Sequence, residues 1–181
     1  MNKNLELVRS YHEAFSFPQA EPGAGAHLSD MDVIMRQALL MDGGSEAFKA
    51  IKAGDMAEIL AGLVDLAFYA LSAIAMRGDD VVDRPVAWRH DGFVISIMRL
   101  LSDKINRCAS GDADDYSEVY CVCVHLARGF LNADFDKAFA MIHDHNMARL
   151  KESGKSIYDE VGIIRRSKLS QNLDLSDCLY E

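Results

Sequence analysis

An all-α fold, a four-helix-bundle-type arrangement of about six helices in one domain over 1–181, follows from three observations. Half of the residues are hydrophobic, Ala, Leu and Met are abundant, and there are only three prolines, a composition that favours helix over sheet. No segment keeps the two-residue alternation of a half-buried strand. The stretch GDMAEILAGLVDLAFYAL, Gly54 to Leu71, reads as a helix that is apolar nearly all round. Its two carboxylates, Glu58 and Asp65, are seven residues apart. At about 100° per residue they share one stripe.

The elements follow in order. Residues 3–15 form a short amphipathic helix ended by Phe17-Pro18, and the Pro, Gly and Ala content of 19–28 makes a loop. Ser29 or Asp30 caps a second helix that runs to about Lys52. Asp55 caps the third, which closes near Gly78 with Arg77 in a cationic last turn. Residues 79–92, with the only Trp at 88, form a linker. Further helices are expected over roughly 92–109, 113–131 and 134–152, with Asp112, Asp114 and Asp115 capping the fifth in solvent. The tail over 153–181 is polar and reads as extended and partly mobile.

The formal net charge of −9 argues against a nucleic-acid polymer as partner, because wrapping a phosphate backbone takes a concentrated basic surface. No membrane span or leader is evident, since carboxylates interrupt the longest apolar run. The four cysteines, Cys108, Cys121, Cys123 and Cys178, lack metal-ligand spacing and read as reduced, mostly buried thiols of a cytoplasmic protein. His125, four residues after Cys121, makes only a single such pair.

An internal echo runs through the chain. Ala53-Gly54-Asp55 matches Ser110-Gly111-Asp112, Ser45-Glu46 matches Ser102-Asp103, and Leu66-Ala67 matches Leu126-Ala127. A helix, Gly-Asp turn, helix unit thus recurs over 35–78 and 92–135. The alternative is that two amphipathic helices joined by Gly-Asp simply look alike. In the second copy His125 stands opposite Asp65 and Arg99 opposite Asp42.

Asp42 and Glu46 are four apart and so share a face of the second helix. The Ala53-Gly54-Asp55 connection is short enough to make the second and third helices antiparallel neighbours. Two acids on each can then converge in the groove between them. Converging carboxylates repel unless protons or cations intervene. Hard oxygen ligands on facing helices suit Mg²⁺, or Mn²⁺ in its place, above all when substrate phosphates complete the coordination. For Asp42, Glu46 and Glu58 a solvated face or a helix first turn is the competing reading. Asp65, flanked by Leu63, Val64, Leu66, Ala67 and Phe68, is harder to explain so.

The acid-bearing helix, Gly-Asp turn and E-(x)6-D-L helix, followed by IHDHNMARL and GKSIY over 142–158, resemble the all-α NTP pyrophosphohydrolases. These include the MazG-type enzymes, phosphoribosyl-ATP pyrophosphohydrolases and dimeric dUTPases, the last also built of related helical halves. The resemblance covers about 33–75 and 134–166. It implies a Mg²⁺-dependent hydrolase that cleaves a nucleotide between its α and β phosphates and releases pyrophosphate. It further implies metal ligands at Asp42, Glu46, Glu58 and Asp65, substrate contacts from Asn146, Arg149 and Lys155 in the segment begun by His143, and a homodimer. No catalytic group beyond the metal ligands is implied. The chain departs from that pattern at Gly43, Ala61 and Gly62, where relatives carry acids. The alternative is therefore a catalytically decayed helical nucleotide-binding or interaction protein. Tyr11, His12 and Phe15 read as a staple onto the bundle, or else as a base pocket. The basic cluster Arg165, Arg166 and Lys168 reads as solvated charge.

Overall fold

The computed structural model describes residues 1–153 and 172–180. It contains six α-helices: α1 (Lys3–Ala14), α2 (Asp30–Ala53), α3 (Met56–Arg77), α4 (Val94–Arg107), α5 (Ala113–Gly129) and α6 (Phe135–Ser153). Short 3-10 turns follow α4 at Cys108–Ser110 and occur at Ser176–Cys178. Among the described residues there is no strand, only an isolated bridge between Ala133 and Leu179. The class expected from composition and periodicity is the class observed.

The helix ends show why these boundaries form. Ser29 caps α2 in a reciprocal box with Asp32, which satisfies two otherwise orphaned N–H groups. The Asp55 carboxylate accepts from the Glu58 N–H at 3.1 Å and starts α3. Gly54 and Gly78 end α2 and α3 in the left-handed region, with φ of 71° and 74°, a conformation that penalises a Cβ. Gly111, the counterpart of Gly54 in the echo, has φ of 75°. At the start of α5 the expectation is only partly met. Asp112 occupies the cap position without a side-chain cap bond, while Asp115 accepts from Ser110 Oγ and Asp114 pairs with Arg84.

Helix α3 is the central element, with every residue from Ile59 to Ala75 buried. It alone among the described helices is long and apolar enough to cross a membrane by length and composition, and the other helices cover it. Helices α2 and α5 pack along it, α1 and α6 take its remaining side, and α4 lies against α2 and α5. Leu60, Leu63, Leu66, Leu71 and Ile74 are fully enclosed. Each such side chain contributes about 1.5–3 kcal/mol relative to exposure, so burial outweighs the carboxylate that interrupts the run.

Tight packing accounts for the mid-helix glycines. A Cβ on Gly62 would stand 3.0 Å from the Ala47 Cα, one on Gly43 would meet the Tyr69 ring at 3.2 Å, and one on Gly44 would meet Ile105 Cδ1 at 2.8 Å. Gly62 and Gly43 therefore set the approach of α2 to α3, and Gly44 that of α2 to α4. Their helix-propensity cost of about 1 kcal/mol each is offset by close contact. A Gly62→Val variant, which drives branched carbon into the Ala47 backbone, is expected to lose about 1–3 kcal/mol in urea unfolding. An unchanged midpoint would mean that α2 and α3 are not in close contact here.

The tail departs from expectation where it is described. Leu175 and Cys178 are buried, Asp134 N–H donates to the Cys178 carbonyl at 2.8 Å, and Tyr180 N–H donates to Asn132 at 2.9 Å. Two apolar anchors spaced by a single 3-10 turn dock this segment on the start of α6, a contact without periodicity to announce it. Residues 154–171, with Lys155, Arg165, Arg166 and Lys168, lie outside the described residues. All four cysteines are free and buried.

Candidate functional site

Helix phase locates the acids. On α2, Gly43 and Ala47 face α3 while Gly44 faces α4. Asp42 and Glu46, each one residue earlier and so about 100° round the helix, lie on the side away from α4. On α3, Gly62, Leu66 and Tyr69 meet α2, whereas Phe68 meets Tyr11 of α1 edge-on at 5.0 Å and stacks on Phe139 of α6 at 6.4 Å. Asp65 stands between those two sides, and Glu58, seven residues earlier, shares its stripe. All four predicted ligands therefore belong to one side of the α2–α3 pair. The Gly62–Ala47 contact also brings Glu46 level with the turn that carries Asp65.

Their environments differ. Asp65 is only 4% exposed, Asp42 and Glu58 are exposed, and Glu46 is half-buried with its Oε1 2.8 Å from Lys49 Nζ. Glu58 is two turns, about 10 Å, from Asp65 along α3, near the open end by the hairpin. By the Gly62–Ala47 contact, Glu46 and Asp42 stand about 3 Å along the axis on either side of the Asp65 level, and Glu58 lies farther off. Among the described residues no group of three or more His, Cys, Asp or Glu side chains is placed to hold a metal ion. Gly43 and Gly62, two positions where the resemblance leads one to expect acids, lie in the close α2–α3 contact.

Helix α6 packs against α1 and α3. Asn2 N–H bonds Asp80, Arg9 reaches the Ala75 carbonyl and His12 reaches Ser72, so α1 runs antiparallel to α3. Asn4 bonds Asp136, and Ser10 lies 3.4 Å from His143 Nε2, so α6 runs parallel to α1. With Phe139 stacked on Phe68 and a rise of about 1.5 Å per residue, Asn146 sits at a height between Asp65 and Glu58, and Arg149 at that of Glu58. Asn146 is 1% exposed, its amide nitrogen donating to the Ile142 carbonyl at 2.7 Å, and Arg149 is half-buried. Burial among apolar neighbours lowers the proton affinity of His143, with Asp144 opposing.

The stripe of Glu58 and Asp65 continues to a third polar residue, Ser72, which sequence reading passed over although it repeats the seven-residue spacing. Ser72 is buried and takes part in a closed network. His12 Nδ1 is 3.0 Å from the Pro18 carbonyl, which can only accept, so Nδ1 carries the proton. His12 Nε2 then accepts from the Ser72 hydroxyl at 2.8 Å, and Ser72 Oγ accepts from Arg36 Nη1 at 3.1 Å. Arg36 is 3% exposed and lies 5.3 Å from the centre of the Phe17 ring. Tyr11, His12 and Phe15 are all buried, in keeping with a staple. Desolvation, with Arg36 and Arg9 adding to it and the Pro18 bond opposing, brings the His12 pKa down from 6.5 to about 3.

The second copy of the echo is occupied differently. Glu118, opposite Glu58, is fixed by Lys104 at 2.7 Å and by Arg107 at 3.6 Å, and the bond from Lys104 holds its carboxyl below the usual range. His125 contacts the Trp88 ring edge-on at 6.4 Å. No family model, curated protein or solved structure matches the chain.

Proposed function

We propose that the protein is a Mg²⁺-dependent nucleotide pyrophosphohydrolase with its site in the groove walled by α2 and α6 over α3. The observation that carries this reading is Asp65, a carboxylate only 4% exposed on the stripe of Glu58 and on the same side of the α2–α3 pair as Glu46 and Asp42. A carboxylate this deeply buried keeps a large electrostatic effect on any cation beside it, because little water screens it. Mg²⁺ is commonly held by one or two carboxylates, with water and substrate phosphates filling its other positions. Glu46 and Asp65, the two less exposed of the four acids, would serve as its ligands, with the exposed Asp42 and Glu58 as outer carboxylates. The bound ion would polarise a phosphoryl oxygen and acidify water. On α6, Asn146 and Arg149 stand at heights near Asp65 and Glu58, where substrate contacts would come from.

With this reading go a nucleotide substrate, a cytoplasmic location and a homodimer. Free buried thiols support the location. Large apolar side chains exposed on neighbouring helices support self-association: Met31, Ile34 and Met41 on α2, Val94, Ile95 and Met98 on α4. A catalytically decayed nucleotide binder is the second reading. It is favoured by the packing at Gly43 and Gly62, which leaves no space for added ligands. Incubating the protein with a panel of NTPs and dNTPs plus Mg²⁺ and measuring pyrophosphate separates the two. Metal-dependent release, abolished by EDTA, is the expected result, whereas nucleotide binding without release would establish the decayed form.

A further inference from the structure

A second cleft, remote from the α2–α3 groove, is walled by the start of α1, the outer face of α5, the first turn of α6 and the linker around Arg84. Its volume is about 600 Å³, within the range of small-molecule sites. Lys3, Arg84 and Arg128 line it, together with His125, Tyr120 and the carboxylates of Asp83 and Asp136.

The hydrogen bonds fix what the cleft offers. Asn2 Oδ1 accepts from the N–H groups of Asn4 and Leu5 at the start of α1, so its amide nitrogen is the end that points at Tyr120. Asn2 and Asn4 donate to the Tyr120 oxygen at 3.2 and 3.0 Å. That oxygen is thus used twice as an acceptor, while no bond formed by its own proton occurs among the described residues. Burial holds the Tyr120 hydroxyl above its ordinary pKa, so the proton stays in place. Asp136 accepts from Asn4 at 2.9 Å through Oδ1 and pairs through Oδ2 with both Lys3 and Arg128 at 2.9 Å. Two cations share that single carboxylate, and Arg84 takes its partner, Asp114, from outside the cleft. Lys3, Arg84 and Arg128 against Asp83, Asp136 and Asp114 leave the cleft close to neutral in a chain whose net charge is −9. Val86 and Val124 supply apolar wall, and the His125 ring is fixed edge-on to Trp88.

We infer that this cleft is a second binding site, for a phosphate-bearing small molecule of nucleoside-monophosphate size. Its phosphate is met by Lys3, Arg128 and the Tyr120 hydroxyl, and its ring lies along Val86, Val124 and His125. The donor set fits the charge: a planar guanidinium and an ammonium share one carboxylate and each retains N–H groups for an anion. The inference is independent of hydrolysis at the α2–α3 groove.

The test is calorimetric titration of the full chain with a nucleoside monophosphate and, separately, with inorganic phosphate, without divalent metal. Saturable one-to-one binding is expected. Arg128→Gln should weaken it about tenfold, the scale of one charge-assisted hydrogen bond, and Tyr120→Phe severalfold. Asp65→Asn serves as the control and should leave it unchanged. Arg128 is largely exposed, so its variant carries the test even if Tyr120→Phe fails to fold. Absence of saturable binding to either probe overturns the inference, as does binding indifferent to Arg128→Gln or lost in Asp65→Asn. Binding of inorganic phosphate alone overturns the assigned ring wall.

Discussion

Asp65→Asn is expected to lower pyrophosphate release by at least about 100-fold, the upper range for losing even a partner of a metal ligand, while far-UV circular dichroism stays that of the parent. The substitution keeps shape and volume and removes one negative charge. Because Asp65 is only 4% exposed, its field on a cation is little screened by water. An exposed carboxylate matters less. Asp42→Asn, a turn along α2 from Glu46 and open to solvent, should therefore cost far less than Asp65→Asn. Manganese titration should follow the same order, with binding lost in the Asp65 variant and retained in the Asp42 variant. Unchanged turnover in Asp65→Asn would sink the assignment. Equal losses at Asp42 and Asp65 would mean that four carboxylates act together rather than two.

The contrast between these acids marks how far the sequence is legible. Helix boundaries could be read because their causes are local: Ser29 and Asp55 bond N–H groups three residues away, and Gly54 and Gly78 take a left-handed φ. The burial of Asp65 was legible too, from the apolar residues on either side. What neighbours could not reveal is whether a face opposes another helix. Gly43 and Gly62 looked like lost ligands, yet each is where a Cβ would strike the partner helix, a fact that exists only between segments. Ser72 escaped notice because a lone serine in an apolar helix carries no charge to flag it. Its meaning comes from His12 and Arg36, 60 and 36 residues away in the chain. The docking of Leu175 and Cys178 is likewise a matter of two side chains finding a site on α6, without any repeat to betray it.

The network at Ser72 makes stability depend on acid in a specific way. The unfolded chain protonates His12 near its ordinary pKa of 6.5, whereas the folded protein does so only at about 3. Between those values the unfolded state binds more protons, so stability must fall as pH falls. At about 1.36 kcal/mol per pKa unit, the loss approaches about 4 kcal/mol by pH 3.5, and roughly 2–3 kcal/mol is gone by pH 4.5. His143, whose pKa is also lowered by burial, adds to the loss with the same sign. The depressed carboxylates, Asp80, Asp136 and Glu118 among them, lose their contribution only near or below their unfolded values of about 4, so the window from pH 6.5 to 4.5 belongs mainly to the histidines. The structural cause is specific. A proton on His12 Nε2 would turn an acceptor into a donor against the Ser72 hydroxyl, which is already held by Arg36, and would add a cation beside that guanidinium. Urea unfolding at pH 7.5, 6.5, 5.5 and 4.5 should show the midpoint falling with acid. His12→Gln, which cannot titrate and can still bond Ser72, should lose much of that slope even if its stability at pH 7.5 is lower. A slope identical in the variant would place the acid sensitivity elsewhere and remove His12 from the account.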